Sequence, residues 1–418
     1  MKNALAPVAA LLIGVSILLT GQGLQGTLLP VRAGLENFST ISIGIIGGAY
    51  FLGFTVGCLK GGELVKNVGH VRVFAAMTAL ASASPLLHGL LLDPLTWGLL
   101  RALTGFCFAV LYVVIESWLN DRATNENRGV IFSTYVMITL TMLAVGQLLT
   151  LLYSPQEMQL FAIASVLVSL AAIPVVLSRS PSPDLPIHVD VDLRRLFRIS
   201  PAGTLGCLAS GLANGAFWSL AAVFTSSVSE NVSLAAWFMS AAVVGGAVAQ
   251  WPIGVLSDKL GRRKALSAAA AVAAVLGIVA IRLIDRGSFL SLNLFSAAWG
   301  FVAFPIYSIA VAHANDNAEP DDYVMVSSGL LLMYGSGAII GPFIASTLMT
   351  LTNASALYVY TGAIHLCLML YVVTRIIRRT SAPAEHHMDF SDALATAHTA
   401  SQVYEEEIQN IAEEDQAE

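Results

Sequence analysis

Long apolar runs separated by short polar breaks occupy almost the whole chain. A helix needs roughly 20 apolar residues to cross about 30 Å of hydrocarbon, and such a run must be helical because lipid offers no partners for backbone hydrogen bonds. The runs lie near residues 4–29, 40–60, 71–92, 95–118, 129–152, 158–178, 202–226, 232–257, 265–285, 288–313, 323–350 and 354–377. The pattern therefore predicts an all-α membrane protein with twelve transmembrane helices. The first run is longer than a signal-peptide core of roughly 7–15 residues, so we expect it to remain in the mature protein.

Composition excludes a water-soluble protein. Hydrophobic residues make up 56% of the chain and charged residues only 11%, whereas soluble domains carry about 25% charged residues. We predict a lipid bilayer as the surroundings and no nucleic-acid partner.

The distribution of Lys and Arg predicts the orientation. With a cytoplasmic N-terminus, 17 of the 21 basic residues fall in cytoplasmic segments, three fall in outer loops, and Arg101 lies within the fourth span. Positive charge accumulates on the cytoplasmic side of membrane proteins. We therefore expect a multi-pass protein of a bacterial inner membrane, with both termini in the cytoplasm.

Two loops repeat each other 192 residues apart: Gly62 to Arg72 follows the second span, and Gly254 to Lys264 follows the eighth. A duplicated motif of this kind is typical of transporters built from two related halves. We predict a six-helix half at 1–178, a cytoplasmic linker at 179–200, a second six-helix half at 201–378 and an acidic disordered tail at 379–418. Ten acidic residues follow Arg379, so the tail is a solvated segment or, alternatively, a partner-binding one.

Gly254 to Lys264 resembles the loop motif G-x-L-x-D-x-x-G-R-R-K of the major facilitator superfamily. Arg101 to Gly105 resembles its R-x-x-x-G motif, and Val113 to Ser117 with Leu330 to Tyr334 resemble the bacterial YcaD-like branch, over most of residues 1–378. The resemblance implies the major facilitator fold, a monomer, and a central cavity lined by spans 1, 4, 7 and 10. It also implies an acidic gate at Asp258, while Lys66 takes the acid's place in the first half.

The sequence lacks the phosphate-binding motif of ATP-driven pumps and the ligand spacing of metalloenzymes. No Lys precedes a Ser or Thr, so there is no phosphate-binding loop for ATP. The four cysteines and eight histidines have no metal-ligand spacing. We predict no enzymatic activity, no cofactor and no metal.

Polar groups within the spans are candidates for the transport pathway because they are costly in lipid. The expected substrate-binding or coupling residues are Arg101, Gln22, Gln25, Tyr112, Tyr135, Gln147, Asn214, Trp218, Asn293, Tyr307 and Tyr334. Each has an alternative role in helix–helix hydrogen bonding.

The expected gate residues are Glu116, Asp258, Arg262 and Arg128. For Glu116, an ion pair with Arg72, Arg122 or Arg128 is favoured over proton binding, so proton coupling is left open.

A lining of amides, phenols and indoles suits a flat or hydroxylated, mostly neutral solute. Drug exporters typically carry Gly-Pro in span 5, whereas this chain has Gly146-Gln147 there and Gly341-Pro342 in span 11. We therefore expect uptake of a small metabolite by a secondary or facilitative transporter, with riboflavin as the first hypothesis. The alternatives are efflux by proton antiport and a non-transporting membrane sensor or scaffold.

Overall fold

The computed structural model describes residue 5 and residues 8–124, 127–177, 192–284, 287–319 and 322–378. Within these ranges the regular structure is entirely helical. Most of the predicted linker and the whole predicted tail lie outside the described residues, so their boundaries stay predictions.

Twelve helices of the described chain are long and apolar enough to cross a membrane, which confirms the predicted fold class. They are α1 (Ala9–Leu35), α2 (Thr40–Val68), α3 (His70–Leu90), α4 (Pro94–Asp121), α5 (Arg128–Leu148, with a 3-10 turn to Leu151), α6 (Gln159–Val176), α7 (Pro201–Val228), α8 (Ser233–Leu260), α9 (Arg262–Ile284), α10 (Phe289–Asn315), α11 (Tyr323–Leu351) and α12 (Ala356–Arg378). A short helix, Leu193–Ile199, precedes α7.

Helix ends follow from local chemistry. Asp93 accepts a hydrogen bond from the Thr96 backbone N–H at 2.8 Å and so starts α4; this bond holds the pKa of the exposed Asp93 carboxyl below its usual value. α2 and α8 end at Gly69 and Gly261, with φ of 93° and 86°. Glycine tolerates this left-handed backbone. The apolar run predicts an end near residue 60, but α2 continues for eight more residues and ends where Gly69 adopts the left-handed backbone.

The two halves share their helix packing as well as their loops. In the first half, a methyl group at Gly105 of α4 would lie 2.0 Å from the Tyr50 carbonyl oxygen of α2. In the second half, one at Gly300 of α10 would lie 2.0 Å from the Ala242 carbonyl oxygen of α8. Tyr50 and Ala242 are 192 residues apart, and Gly105 and Gly300 are 195 apart. Residues of α2 therefore correspond to residues of α8 at an offset of 192, and residues of α4 correspond to residues of α10 at an offset of 195.

The change of offset decides which residue of the second half corresponds to Arg101. A constant offset of 192 would match Arg101 with Asn293, but the packing of α4 and α10 matches Arg101 with Ser296. The three extra residues enter through α9, which is two residues longer than α3, and through the connection after it, which is one residue longer.

The halves touch at one end of the bundle and separate at the other. A methyl at Gly48 of α2 would lie 2.7 Å from the Ile339 carbonyl oxygen of α11, and the Ser240 hydroxyl of α8 donates to the Ala144 carbonyl of α5 at 3.1 Å. These contacts lie toward the starts of α2 and α8 and the ends of α5 and α11. We call the other end, where α2 and α8 finish, the motif end.

Candidate functional site

A cavity of about 1230 Å³ lies between the two halves. It reaches the motif end at Lys60 and Glu63, whose side chains are 68% and 65% exposed. At the opposite end its lining residues Leu29 and Ile43 are buried. The cavity is therefore open toward the motif end and closed toward the other.

Ten of the eleven residues expected in the substrate pathway line this cavity. They are Gln22, Gln25, Arg101, Tyr112, Tyr135, Gln147, Asn214, Trp218, Tyr307 and Tyr334.

Asn293 is the exception and is a correction. It lies five residues into α10, about 21 Å along the axis from Tyr307, and its side chain donates to the Phe289 carbonyl oxygen of its own helix at 2.8 Å. Asn293 and Tyr307 lie on similar faces of α10 but at different depths along its axis, and of the two Tyr307 lines the cavity.

Arg101 sits on an aromatic ring. Its guanidinium carbon lies 4.2 Å from the centroid of Tyr50, within the range of a cation–π contact. Gly105, one turn further along α4, lets the two helices approach closely enough for this contact. No ion pair within the described ranges includes Arg101. Its fork of N–H donors faces the cavity.

A chain of hydrogen bonds joins α4, α1 and α2. The Tyr112 hydroxyl donates to Gln22 Oε1 at 2.8 Å, and Gln22 Nε2 donates to the Tyr50 hydroxyl oxygen at 2.9 Å. We call these three residues the polar relay. Tyr50 was not predicted, although its position among Gly47, Gly48 and Gly53 is a usable signal because glycines allow helices to pack closely.

Glu116 differs from its expected role. Its carboxylate accepts a hydrogen bond from the Tyr135 hydroxyl at 3.4 Å and lines the cavity. The Arg128 guanidinium bonds to Asn120 instead, and none of the ion pairs of the described residues includes Glu116. The expected ion pair is not formed because Glu116 points into the cavity, away from the loop that carries Arg122.

The second half supplies an aromatic wall. The rings of Trp218 and Phe304 are parallel within 6° at a centroid distance of 5.5 Å, and both line the cavity. Behind them Phe217 stacks on Trp299 at 4.4 Å, and both of these residues are fully buried. The buried pair contacts the Phe304 ring edge-on at 5.8 and 5.6 Å and so fixes its orientation.

The repeat shows which parts of the lining are shared. Gln22 matches Asn214 at offset 192, and Tyr112 matches Tyr307 at offset 195, so both halves provide an amide and a phenol. Trp218 matches Gly26, where an added methyl would meet no atom of another element within 4 Å. The aromatic wall is therefore matched by open space in the first half.

Amide oxygens around the cavity lack hydrogen-bond partners among the described atoms. These oxygens belong to Gln25, Gln147, Asn214 and Gln250, all of which line the cavity. An unpaired buried acceptor costs about 1–3 kcal/mol. Each of these oxygens has almost no accessible surface, so a solute reaches it only if the amide turns toward the cavity.

The remaining gate residues, Asp258 and Arg262, belong to an ion-paired cluster at the motif end of the second half, in which Arg262 and Asp316 are buried and Asp258 is exposed. Arg262 Nε donates to Asp316 Oδ2 at 3.1 Å, its Nη1 donates to Ser257 Oγ at 3.2 Å, and it also pairs with Asp258. Asp316 was not predicted because it follows α10, far in sequence from the loop motif. In the first half Lys66 lines the cavity mouth.

Solved structures of transporters share this architecture. The nucleoside transporter NupG matches with a TM-score of 0.74 at 13% identity, covering 89% of this chain and 99% of NupG. A bacterial homologue of the human lysosomal transporter Spinster gives 0.68 at 15%, covering 94% and 97%. The E. coli fucose:proton symporter FucP gives 0.56 at 16%, covering 89% and 99%.

The sequence comparisons agree with the fold. Residues 199–399 match the family model described as Major Facilitator Superfamily. The uncharacterized MFS-type transporter YcaD of Escherichia fergusonii is 28% identical over 382 residues, 91% of this chain and 98% of YcaD. The chain is similar to YcaD over most of its length and has the major facilitator fold. YcaD of Escherichia coli O17:K52:H18 is also 28% identical, over 92% of this chain and all of that protein.

Proposed function

We propose that this protein is a secondary or facilitative transporter that moves a small planar solute across the membrane by alternating access. The observation that carries the proposal is the cavity between the two halves, open at one end only and lined by aromatic and unpaired polar groups. In a transporter of two related halves, such a cavity alternates between the two sides when one half rocks against the other.

The aromatic wall favours a flat ring system. Trp218 presents an indole face next to the parallel ring of Phe304, and Gly26 leaves room across from it. Offset stacking on a rigid aromatic pair stabilises planar groups by about 0.5–1.5 kcal/mol beyond the area that is buried. A solute without a ring would gain no stacking energy from Trp218 and Phe304.

The polar lining favours a solute with several hydrogen-bonding groups and one acceptor-rich end. The amide side chains of Gln22, Gln25 and Gln250 line the cavity, while Arg101 offers donors to a carbonyl, hydroxyl or single carboxylate. A planar heterocycle with a hydroxylated chain meets both requirements. Riboflavin and nucleosides have this chemistry, and NupG is a nucleoside transporter by name.

The charge pattern favours a cytoplasmic position for the motif end in a bacterial inner membrane. The motif end carries Lys60, Lys66, Arg72 and the Lys259–Lys264 loop, so by the positive-inside rule this end and both termini are cytoplasmic. The cavity is then open to the cytoplasm. A monomer suffices because both halves of the cavity come from one chain.

The test is flux into liposomes that contain the purified full chain, with riboflavin, uridine, adenosine and fucose offered separately. We expect saturable flux of at least one planar heterocycle and none of fucose, which has no aromatic ring. Trp218→Ala should lower the flux by about tenfold, as expected for loss of one stacking partner. Trp251→Ala is the matched control, because Trp251 is 80% exposed and is not among the described cavity-lining residues.

Two results would reject the proposal. Flux of fucose alone would exclude the planar solute. No flux of any solute, together with a partner that binds through residues 379–418, would favour a membrane sensor or scaffold. Rescue of a riboflavin auxotroph at limiting vitamin separates uptake from efflux.

A further inference from the structure

Glu116 is a carboxyl group in an unusual place. It lies five residues before the end of α4, about 7.5 Å into the bundle from the motif end, and it lines the cavity. The other acid among the described lining residues, Glu63, is 65% exposed at the mouth and lies 3.5 Å from Lys60. A charged carboxylate in a low-dielectric interior needs a cation or several hydrogen bonds. Glu116 has one described hydrogen bond, from Tyr135.

The groups around Glu116 are mostly neutral. Tyr135 faces it from α5 and Tyr112 from the preceding turn of α4, while Cys58 of α2 and Tyr307 of α10 lie across the cavity. From α3, His70 bonds to Ser117 at 3.0 Å rather than to Glu116. Three charged residues of α2 share the cavity, Lys60, Glu63 and Lys66. Lys60 pairs with Glu63, and no ion pair of the described residues joins any of the three to Glu116.

Arg101 is too far away to neutralise this carboxylate. The two residues are separated by 15 positions on α4, or about 22 Å along the axis. At that distance their direct Coulomb interaction is weak. The polar relay is the structural connection between them: Tyr112 is one turn from Glu116, and Tyr50 lies under Arg101.

We infer that Glu116, with Tyr135, is a proton-binding site reached from the motif end, and that the relay Tyr112–Gln22–Tyr50 links it to the solute site at Arg101. The carboxylate takes a proton from water in the open cavity and returns it to water on the other side, so no other bond changes. Protonation of Glu116 removes a negative charge one turn from Tyr112, and the hydrogen bonds of the relay carry this change to Tyr50 beneath Arg101. Proton binding itself does not depend on the proposed transport; its coupling to solute rests on that proposal.

Infrared difference spectroscopy of the purified full chain in liposomes tests proton binding without any solute. Between acid and alkaline pH, we expect a protonated-carboxyl C=O band that is lost in Glu116→Gln and kept in Glu63→Gln, the exposed control. Tyr135→Phe should keep the band and shift its frequency, because the phenol donates to this carboxyl. Identical difference spectra for the wild type and Glu116→Gln would overturn the inference, and so would a frequency unchanged by Tyr135→Phe.

A second measurement tests the coupling. With the heterocycle that the flux panel identifies, Glu116→Gln should keep solute exchange at equilibrium but lose accumulation driven by a pH gradient. Accumulation equal to that of the wild type would overturn the coupling. If no panel solute moves, the proposed function fails, whereas the infrared result still decides whether Glu116 binds a proton.

Discussion

Replacing Gly105 with Ala probes the packing that holds Arg101 over Tyr50. The added methyl would lie 2.0 Å from the Tyr50 carbonyl oxygen, 2.9 Å from the Tyr50 carbonyl carbon and 3.0 Å from the Phe54 nitrogen. These neighbours are backbone atoms of α2, so they cannot rotate away. Restoring an ordinary contact of roughly 3.4 Å requires α4 and α2 to separate by at least about 1.4 Å at this point. Overpacking of this kind costs about 1–3 kcal/mol, and a 1 Å displacement at a binding site can lower turnover about a hundredfold.

Thermal unfolding in detergent and solute flux in liposomes measure the two effects. Gly98→Ala is the matched control, because Gly98 is on the same helix with no atom of another element within 4 Å of an added methyl. Alanine is a better helix former than glycine by about 1 kcal/mol, so this control should melt at the same or a higher temperature with normal flux. Gly300→Ala, in the matching position of the second half, should destabilise as much as Gly105→Ala. Equal melting temperatures and flux for Gly98→Ala and Gly105→Ala would refute the reasoning.

Four further substitutions test separate parts of the account. Arg101→Ala should abolish flux while the protein stays folded, as judged by its elution in gel filtration; full flux would remove Arg101 from the site. Gly26→Phe should fill the space opposite the aromatic wall and lower flux more than tenfold, whereas Gly26→Ala should leave flux normal. Arg262→Met leaves Asp316 charged and buried, so it should destabilise the fold by about 3–5 kcal/mol; an unchanged melting temperature would contradict this. Asp93→Asn should lower the melting temperature relative to the wild type at neutral pH. The pKa of Asp93 is depressed in the folded state, so that difference should vanish as the pH falls through its folded pKa.

The number and order of the helices could be predicted because each span is long, apolar and bounded by polar residues. Ten site residues could be predicted for a related reason. A polar side chain in an apolar span is expensive unless it faces a cavity or another helix, and here most such residues face the cavity.

Tyr50 and Phe304 could not be singled out by the same reasoning. An aromatic residue in an apolar span has the same pattern whether it packs against a neighbouring helix or lines a cavity. Asp316 was missed because its partner Arg262 lies 54 positions away, a pairing that only the fold creates. The partner of Glu116 could not be predicted, because Arg122 and Arg128 are close to it in sequence but the carboxylate bonds to Tyr135 of α5.

The two halves divide the chemistry of the cavity. The first half supplies Arg101, the polar relay and Glu116, and the second supplies the stacked pair Trp218–Phe304. A solute that contacts both walls would bridge the halves. In the proposed transporter, such a solute would link binding to the movement of one half against the other.

The most direct test of the central claim is the labelling rate of Cys58 by a small maleimide. Cys58 lines the cavity, whereas Cys367 is in the middle of α12 with its exposed side toward lipid, so its slow labelling should not respond to a solute in the cavity. With the heterocycle identified by flux at a saturating concentration, we predict slower labelling of Cys58 and unchanged labelling of Cys367. A transported solute that leaves the Cys58 rate unchanged would contradict binding in this cavity.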